Sequence, residues 1–193
     1  MICKQSKEGC VVLNIKILLH TCCGPCGVAF TGGIIKEGFA PVLLWHNPNI
    51  HPFTEYKSRR GAALDFAALY QLPMEADDFY GLRKFVGDVA ADGDRRARCA
   101  YCYHARLAHT AKYAAQNGYT AFSTTLLASP YQDFEAICKF GRELAEMYGC
   151  EFVIRDFREG FRAAMDEARK MGLYMQKYCG CIFSEEERYR KFF

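Results

Sequence analysis

Residues 14 to 27 read NIKILLHTCCGPCG. Ile15, Ile17, Leu18 and Leu19 make an apolar, partly β-branched run, the pattern of a buried strand. Gly24-Pro25 then marks a turn, and residues 28–36 continue as a helix closed by Gly38. A buried strand that leads through a short turn into a helix opens a parallel α/β unit. Three cysteines, Cys22, Cys23 and Cys26, fall on this junction.

The alternation continues along the chain. Residues 41–45 form a second buried strand, which the Asn- and Pro-containing segment HNPNIHP ends. Thr54 is placed to cap a helix running to residue 70. Residues 74–79 read as a short strand or loop, 82–91 as a helix, and 100–116 as a strong helix ended by Asn117-Gly118. The segment 120–126 is β-branched and reads as a strand, 133–148 as a helix, and 151–154 as a further strand. Helices are expected over 161–171 and 184–193. Strands alternating with helices predict a parallel sheet covered on both faces, a Rossmann-like three-layer α/β fold. In such sheets, sites lie beyond the carboxyl ends of the strands. That rule brings TCCGPC, WHNPN and TTLLASP to one rim. The expected organisation is an N-terminal extension over 1–13 and a single α/β domain over 14–193 with a cysteine-rich C-terminal part.

The bulk composition narrows the function classes. A chain of 193 residues suits one domain, and 51% hydrophobic residues allow a substantial core. A net charge of +3 neither requires nor opposes a nucleic-acid partner. No apolar run reaches the roughly 18 residues of a membrane span, so no membrane partner is expected. Residues 1–9 are polar and lack the apolar segment of a signal peptide, which makes the cytoplasm the expected location. Eleven cysteines in a reducing compartment point to metal binding or catalysis rather than a disulfide framework. Seven of them fall into three tight groups: Cys22/Cys23/Cys26, Cys99/Cys102 and Cys179/Cys181.

Cys99 and Cys102, three apart at an expected helix start, share one helix face, and free amides there favour thiolate. On their own they are also consistent with a redox pair or with two packed thiols. Joined with Cys22 and Cys23 they make a four-thiolate set, which suits zinc or an iron–sulfur cluster equally well by spacing. Cys26 is either a further ligand, of the same centre or of a second ion, or a buried thiol on the first helix. Cys179-Gly180-Cys181 can close a small strained ring of the labile, catalytic kind, or hold two reduced thiols at a turn. Cys3, Cys10, Cys138 and Cys150 stand alone and carry no assignment. His20, His46, His51, His104 and His109 read as hydrogen-bonded structure rather than ligands. Cations gather at Lys57/Arg59/Arg60, at Arg95/Arg96/Arg98 and at Arg188/Arg190/Lys191, with aromatic residues among them. Such groups are ordinarily solvated helix faces, and with interleaved rings they also suit a single-stranded RNA loop.

In order along the chain, LLHTCCGPCG, NPNIHPFTEYKSR, RCAYCYHARL, FSTTLLASPYQ and YCGC resemble the QueH family of epoxyqueuosine reductases over residues 15 to 190. The resemblance implies the adenine-nucleotide alpha-hydrolase-like (HUP) variant of the Rossmann architecture. It implies a cobalamin-independent two-electron reduction that removes the epoxide oxygen of epoxyqueuosine at the wobble position of tRNA. The substrate would be tRNA carrying that base in its anticodon loop, with an external electron donor. A [4Fe-4S] cluster is implied on Cys22, Cys23, Cys99 and Cys102, with an additional iron near Cys26. Cys179 and Cys181 match the redox-active pair, and Lys57, Arg59, Arg60, Arg95, Arg96 and Arg98 would hold the tRNA. The alternative is a zinc-stabilised RNA-binding module without redox chemistry. An ATP-using enzyme on the same fold is disfavoured, because TCCGPCG lacks the serines of a phosphate loop.

Overall fold

In the computed structural model, which describes residues 15–89 and 94–192, the opening segment forms strand β1 (Ile15–His20) followed by helix α1 (Gly24–Lys36). The expected extension over 1–13, with Cys3 and Cys10, lies outside the described residues. Helix α1 begins four residues earlier than the sequence suggests. Pro25 stands in its first turn, where a missing N–H costs nothing, so Gly-Pro starts the helix instead of separating it from the strand. Cys26 is thereby drawn into the first helical turn.

The remaining elements are β2 (Phe39–Trp45), α2 (Phe53–Leu69), β3 (Met74–Ala76), α3 (Leu82–Val89), α4 (Arg95–Gln116), β4 (Ala121–Thr124), α5 (Phe134–Tyr148), β5 (Glu151–Phe152), α6 (Phe161–Lys170) and α7 (Ile182–Tyr189). The five strands pair in parallel in the order β3-β2-β1-β4-β5. One face is covered by α1 packed against α2 and α6, and the other by α4 packed against α5. This is the three-layer Rossmann-like architecture expected from the alternation. The β-branched run over 120–126 is a strand only to Thr124. There the Thr124 side chain accepts a hydrogen bond from the Leu126 amide and turns the chain into a short 3-10 segment, Thr125–Ala128.

The strand order decides where a site can form. From β1 the chain moves outward through β2 to β3, then returns to lay β4 on the other side of β1. The carboxyl ends of β1 and β4 therefore flank the switch point, the crevice in which open α/β sheets bind ligands. The two ends are tied together by the buried His20 ring, whose Nδ1 lies 2.8 Å from Thr124 Oγ1.

Close packing of α1 on α2 depends on Gly24, where an added Cβ would stand 2.5 Å from the Ala62 carbonyl oxygen. That neighbour is backbone and cannot swing away. Gly24→Ala should therefore destabilise the fold by about 1–3 kcal/mol, the usual range for overpacking. For a chain of this size, that corresponds to a melting temperature lower by roughly 2–12 °C in a thermal denaturation experiment.

Candidate functional site

Cys22 and Cys23 leave the end of β1, and Cys26 follows one turn later on α1. Cys23 occupies the residue before α1 in extended backbone geometry, with φ −174° and ψ 162°. Strand alternation therefore no longer forces the neighbouring side chains apart. The Sγ atoms of Cys22 and Cys23 are 3.8 Å apart, and all three sulfurs lie within 4.8 Å of one another. All three cysteines are buried. Hydrogen bonds with Cys23 and Cys26 hold the Cys22 thiol well below its ordinary pKa, and those with Cys22 and Cys23 push Cys26 up. The trio thus favours one thiolate shared among three sulfurs, a starting point for metal binding.

The other two cysteine groups reach the same place. Cys22, Cys26, Cys99, Cys102, Cys179 and Cys181 all line one cavity of about 750 Å³. Cys99 and Cys102 come from α4, and Cys179 and Cys181 from the loop before α7. Cys99 and Cys102 do not join the tight trio. The cavity therefore gathers sulfur donors from the β1–α1 turn, from α4 and from the loop before α7, a donor set that suits a thiolate-held metal centre. All nine cysteines among the described residues are free thiols.

Helix α4 corrects one part of the sequence argument. It begins at Arg95, not Ala100, because the Asp94 side chain caps it by accepting from the Arg96 and Ala97 amides. Cys99 and Cys102 are therefore one and two turns inside the helix, beyond the free terminal amides. Their thiolates need another source of positive charge. Burial pushes the Cys102 thiol up to about 12, and Arg106 acts against it. Arg106, one turn along α4 and 3% exposed, donates from Nη2 to Cys102 Sγ at 3.1 Å and from Nε to the Cys102 carbonyl at 3.0 Å. Among the described residues no carboxylate pairs with it. A buried guanidinium without a carboxylate calls for anionic charge in the cavity, which the cysteines there can supply as thiolates.

Polar side chains complete the walls. Gln176 Nε2 lies 3.3 Å from Cys23 Sγ, while its buried Oε1 has no hydrogen-bond partner among the described residues. Gln132 Nε2 lies 3.6 Å from Cys179 Sγ. The loop carrying Cys179-Gly180-Cys181 is anchored through its backbone. The His51 amide donates to the Gly180 carbonyl at 2.7 Å, and Arg59 donates to the carbonyls of Tyr178 and Cys179 at 2.7 and 2.8 Å. Gly180 adopts φ +137°, a conformation that favours glycine.

Arg59, expected among the tRNA contacts, lies on the wall of the cysteine cavity. It is 2% exposed, bonded to Glu55 at 2.6 Å, and committed to holding the Cys179 loop. Arg95 and Arg98 line the cysteine cavity, whereas Lys57, Arg60 and Arg96 do not. Arg98 pairs with Glu187 at 2.7 Å, and Arg60 with Asp78 at 2.7 Å. Sequence reasoning did not single out Arg106, Gln176 or the cavity cations Arg169 and Lys177. Arg106 sits in HARLAH among other helical charges, and nothing in its spacing marks it as buried. Among the histidines, His20 is neutral at neutral pH, its pKa lowered to about 3 by burial and by Arg106. Burial also lowers His46 to about 4, and lowers His109. No described helix is long and apolar enough to cross a membrane.

The family model described as "Epoxyqueuosine reductase QueH" matches residues 17–187. A protein named epoxyqueuosine reductase QueH from Dehalococcoides mccartyi is 37% identical over 177 residues, covering 91% of this chain and 96% of its own. One of the same name from Thermotoga maritima is 34% identical over 182 residues, covering 91% and 93%. Among solved structures, a predicted subunit of tRNA methyltransferase from Methanocaldococcus jannaschii superposes with a TM-score of 0.55. It is 12% identical and covers 80% of this chain and 74% of its own, a likeness of fold alone.

Proposed function

Because the chain belongs to the epoxyqueuosine reductase QueH family, we propose that it reduces epoxyqueuosine to queuosine at the wobble position of tRNA, within the cysteine-lined cavity beyond β1 and β4. The observation that carries the siting is the meeting of three cysteine groups and the buried Arg106 around one space. The alternative of an RNA-binding module without chemistry has no support among the relatives, which are named as reductases.

Cys22, Cys23, Cys99 and Cys102 would hold a [4Fe-4S] cluster, and Cys26 would help hold an additional iron. When bound, these centres supply single-electron transfer and a Lewis acid for the epoxide oxygen. The chain's own residues do the rest. Removing the oxygen as water consumes two electrons and two protons. Cys179 and Cys181 as a dithiol supply both, and become a disulfide that an external donor reduces again. Gly180 allows the tight ring this requires, and Arg59 fixes the loop so that the sulfurs stay on the cavity wall. Arg106 balances negative charge at Cys102. At the mouth, Arg95, Arg169, Lys177 and Arg188 offer cations to the phosphates of an anticodon loop. The base itself must leave its stack to enter. We place the reaction in the cytoplasm, where such thiols stay reduced.

The test combines composition with turnover. Anaerobically purified protein should contain iron and sulfide in cluster proportion and convert epoxyqueuosine tRNA when given an external reductant. Zinc in place of iron, or no conversion, would sink the reading. Cys179→Ser should keep the iron, yet lose multiple turnover by at least about a hundredfold, close to 3 kcal/mol in barrier. Unchanged turnover in that variant would remove the dithiol from the reaction.

A further inference from the structure

A second group of ligand-type side chains lies outside the cysteine cavity. His46 follows β2, Asp77 follows β3, and His109 stands in α4, so three distant segments meet at the carboxyl edge of the sheet. The Asp77 amide donates to the Trp45 carbonyl at 2.9 Å, which fixes its carboxylate beside His46. Asp77 Oδ2 lies 3.0 Å from His46 Nδ1 and 3.5 Å from His109 Nε2. The three ligand atoms all lie within 4.8 Å of one another. The two imidazoles stack almost parallel, with centroids 3.5 Å apart and an interplanar angle of 6°.

A hydrogen bond between His46 and Asp77 accounts for only half of this arrangement. His109 Nε2 is buried and makes no hydrogen bond. It faces the same carboxylate oxygen across 3.5 Å, and no hydrogen bond among the described residues offsets its desolvation. Ligand atoms sharing one divalent ion at about 2.1 Å stand roughly 3.0–3.4 Å apart, close to both observed spacings to the carboxylate. The donors are imidazole and carboxylate with no sulfur. That set suits zinc and similar borderline ions, whereas calcium and magnesium take oxygen ligands. Three protein ligands also leave a position for water. His46 and His109 line a cavity of about 390 Å³ that meets the cysteine cavity only at a common wall of Asn49, Phe85, Cys102 and Arg106.

We propose that His46, Asp77 and His109 form a binding site for a divalent transition-metal ion, zinc being the type ion, separate from the cysteine-held centre. The site rests on none of the reductase chemistry.

Zinc itself is the probe, added in excess to the anaerobically purified full-length protein with its iron in place and then removed by gel filtration. Metal analysis should find a zinc equivalent on the wild type, and zinc-edge X-ray absorption should show nitrogen and oxygen neighbours. His109→Gln and His46→Gln should each lose that equivalent at unchanged iron content. If one variant does not fold, the other decides together with the wild-type spectrum. The proposal is overturned if the wild type takes up no zinc, if its zinc is bound through sulfur, or if the folded variants take up as much as the wild type. Iron content and tRNA reduction are read on the same samples, so failure here is distinct from failure of the reductase reading.

Discussion

Replacing Cys102 by alanine should abolish the iron–sulfur absorption and lower epoxyqueuosine reduction by at least about a thousandfold, roughly 4 kcal/mol in barrier. Cys26→Ala should keep that absorption and lose only part of the iron. The contrast matters because the structure offers two candidate sets of sulfurs. Cys22, Cys23 and Cys26 are the compact set, with all sulfurs within 4.8 Å. Cys22, Cys23, Cys99 and Cys102 are the spread set, in which the last two face the same cavity from α4. A single ion would choose the compact set and a cube of four irons the spread one. If Cys102→Ala kept its iron while Cys26→Ala lost all of it, the centre would be a mononuclear site on the trio. Losing one sulfur from a buried helical position leaves only a small void, so circular dichroism should confirm that both variants fold.

The fold was legible where local pattern and tertiary structure agree. The apolar run at Ile15 to Leu19 is a strand because only the interior of a covered parallel sheet accepts such a sequence, and its residues 17 to 20 are indeed buried. The rim was legible as well, since alternation alone places TCCGPC, WHNPN and TTLLASP beyond strand ends. The strand order was not. The return of β4 to the side of β1 is set by how α1 and α4 cover opposite faces, and no residue spells that out. Sequence pattern does not locate a helix start where an unusual cap acts. Pro25 extends α1 toward the cysteines, and Asp94 extends α4 away from them. Arg59 looked like a surface cation. Its burial depends on Glu55 one turn before it and on two carbonyls from residues 178 and 179, partners supplied only by folding. The pairing of His46 with His109 was illegible for the same reason, because neither ring has a local signal beyond a strand end or a helix face.

Arg106→Met tests whether the buried guanidinium serves the fold or the centre. Methionine is similar in length and fills the same channel, but it carries no charge. In metal-free protein Arg106 is a buried cation without a carboxylate, a costly arrangement that an apolar side chain relieves. Metal-free Arg106→Met should therefore be at least as stable as metal-free wild type in denaturant. With the centre assembled, the sign reverses. The variant loses a charge-assisted hydrogen bond to Cys102 Sγ, worth about 1.5–3 kcal/mol. Iron retention against a chelator should then fall roughly tenfold to a hundredfold, and Arg106→Lys should recover part of it by restoring the charge without the fork. A variant that unfolds in the metal-free state but holds iron like the wild type would show that Arg106 supports the fold alone. The opposite pattern, a firm fold with a loosely held centre, is what a cation placed to balance thiolates requires.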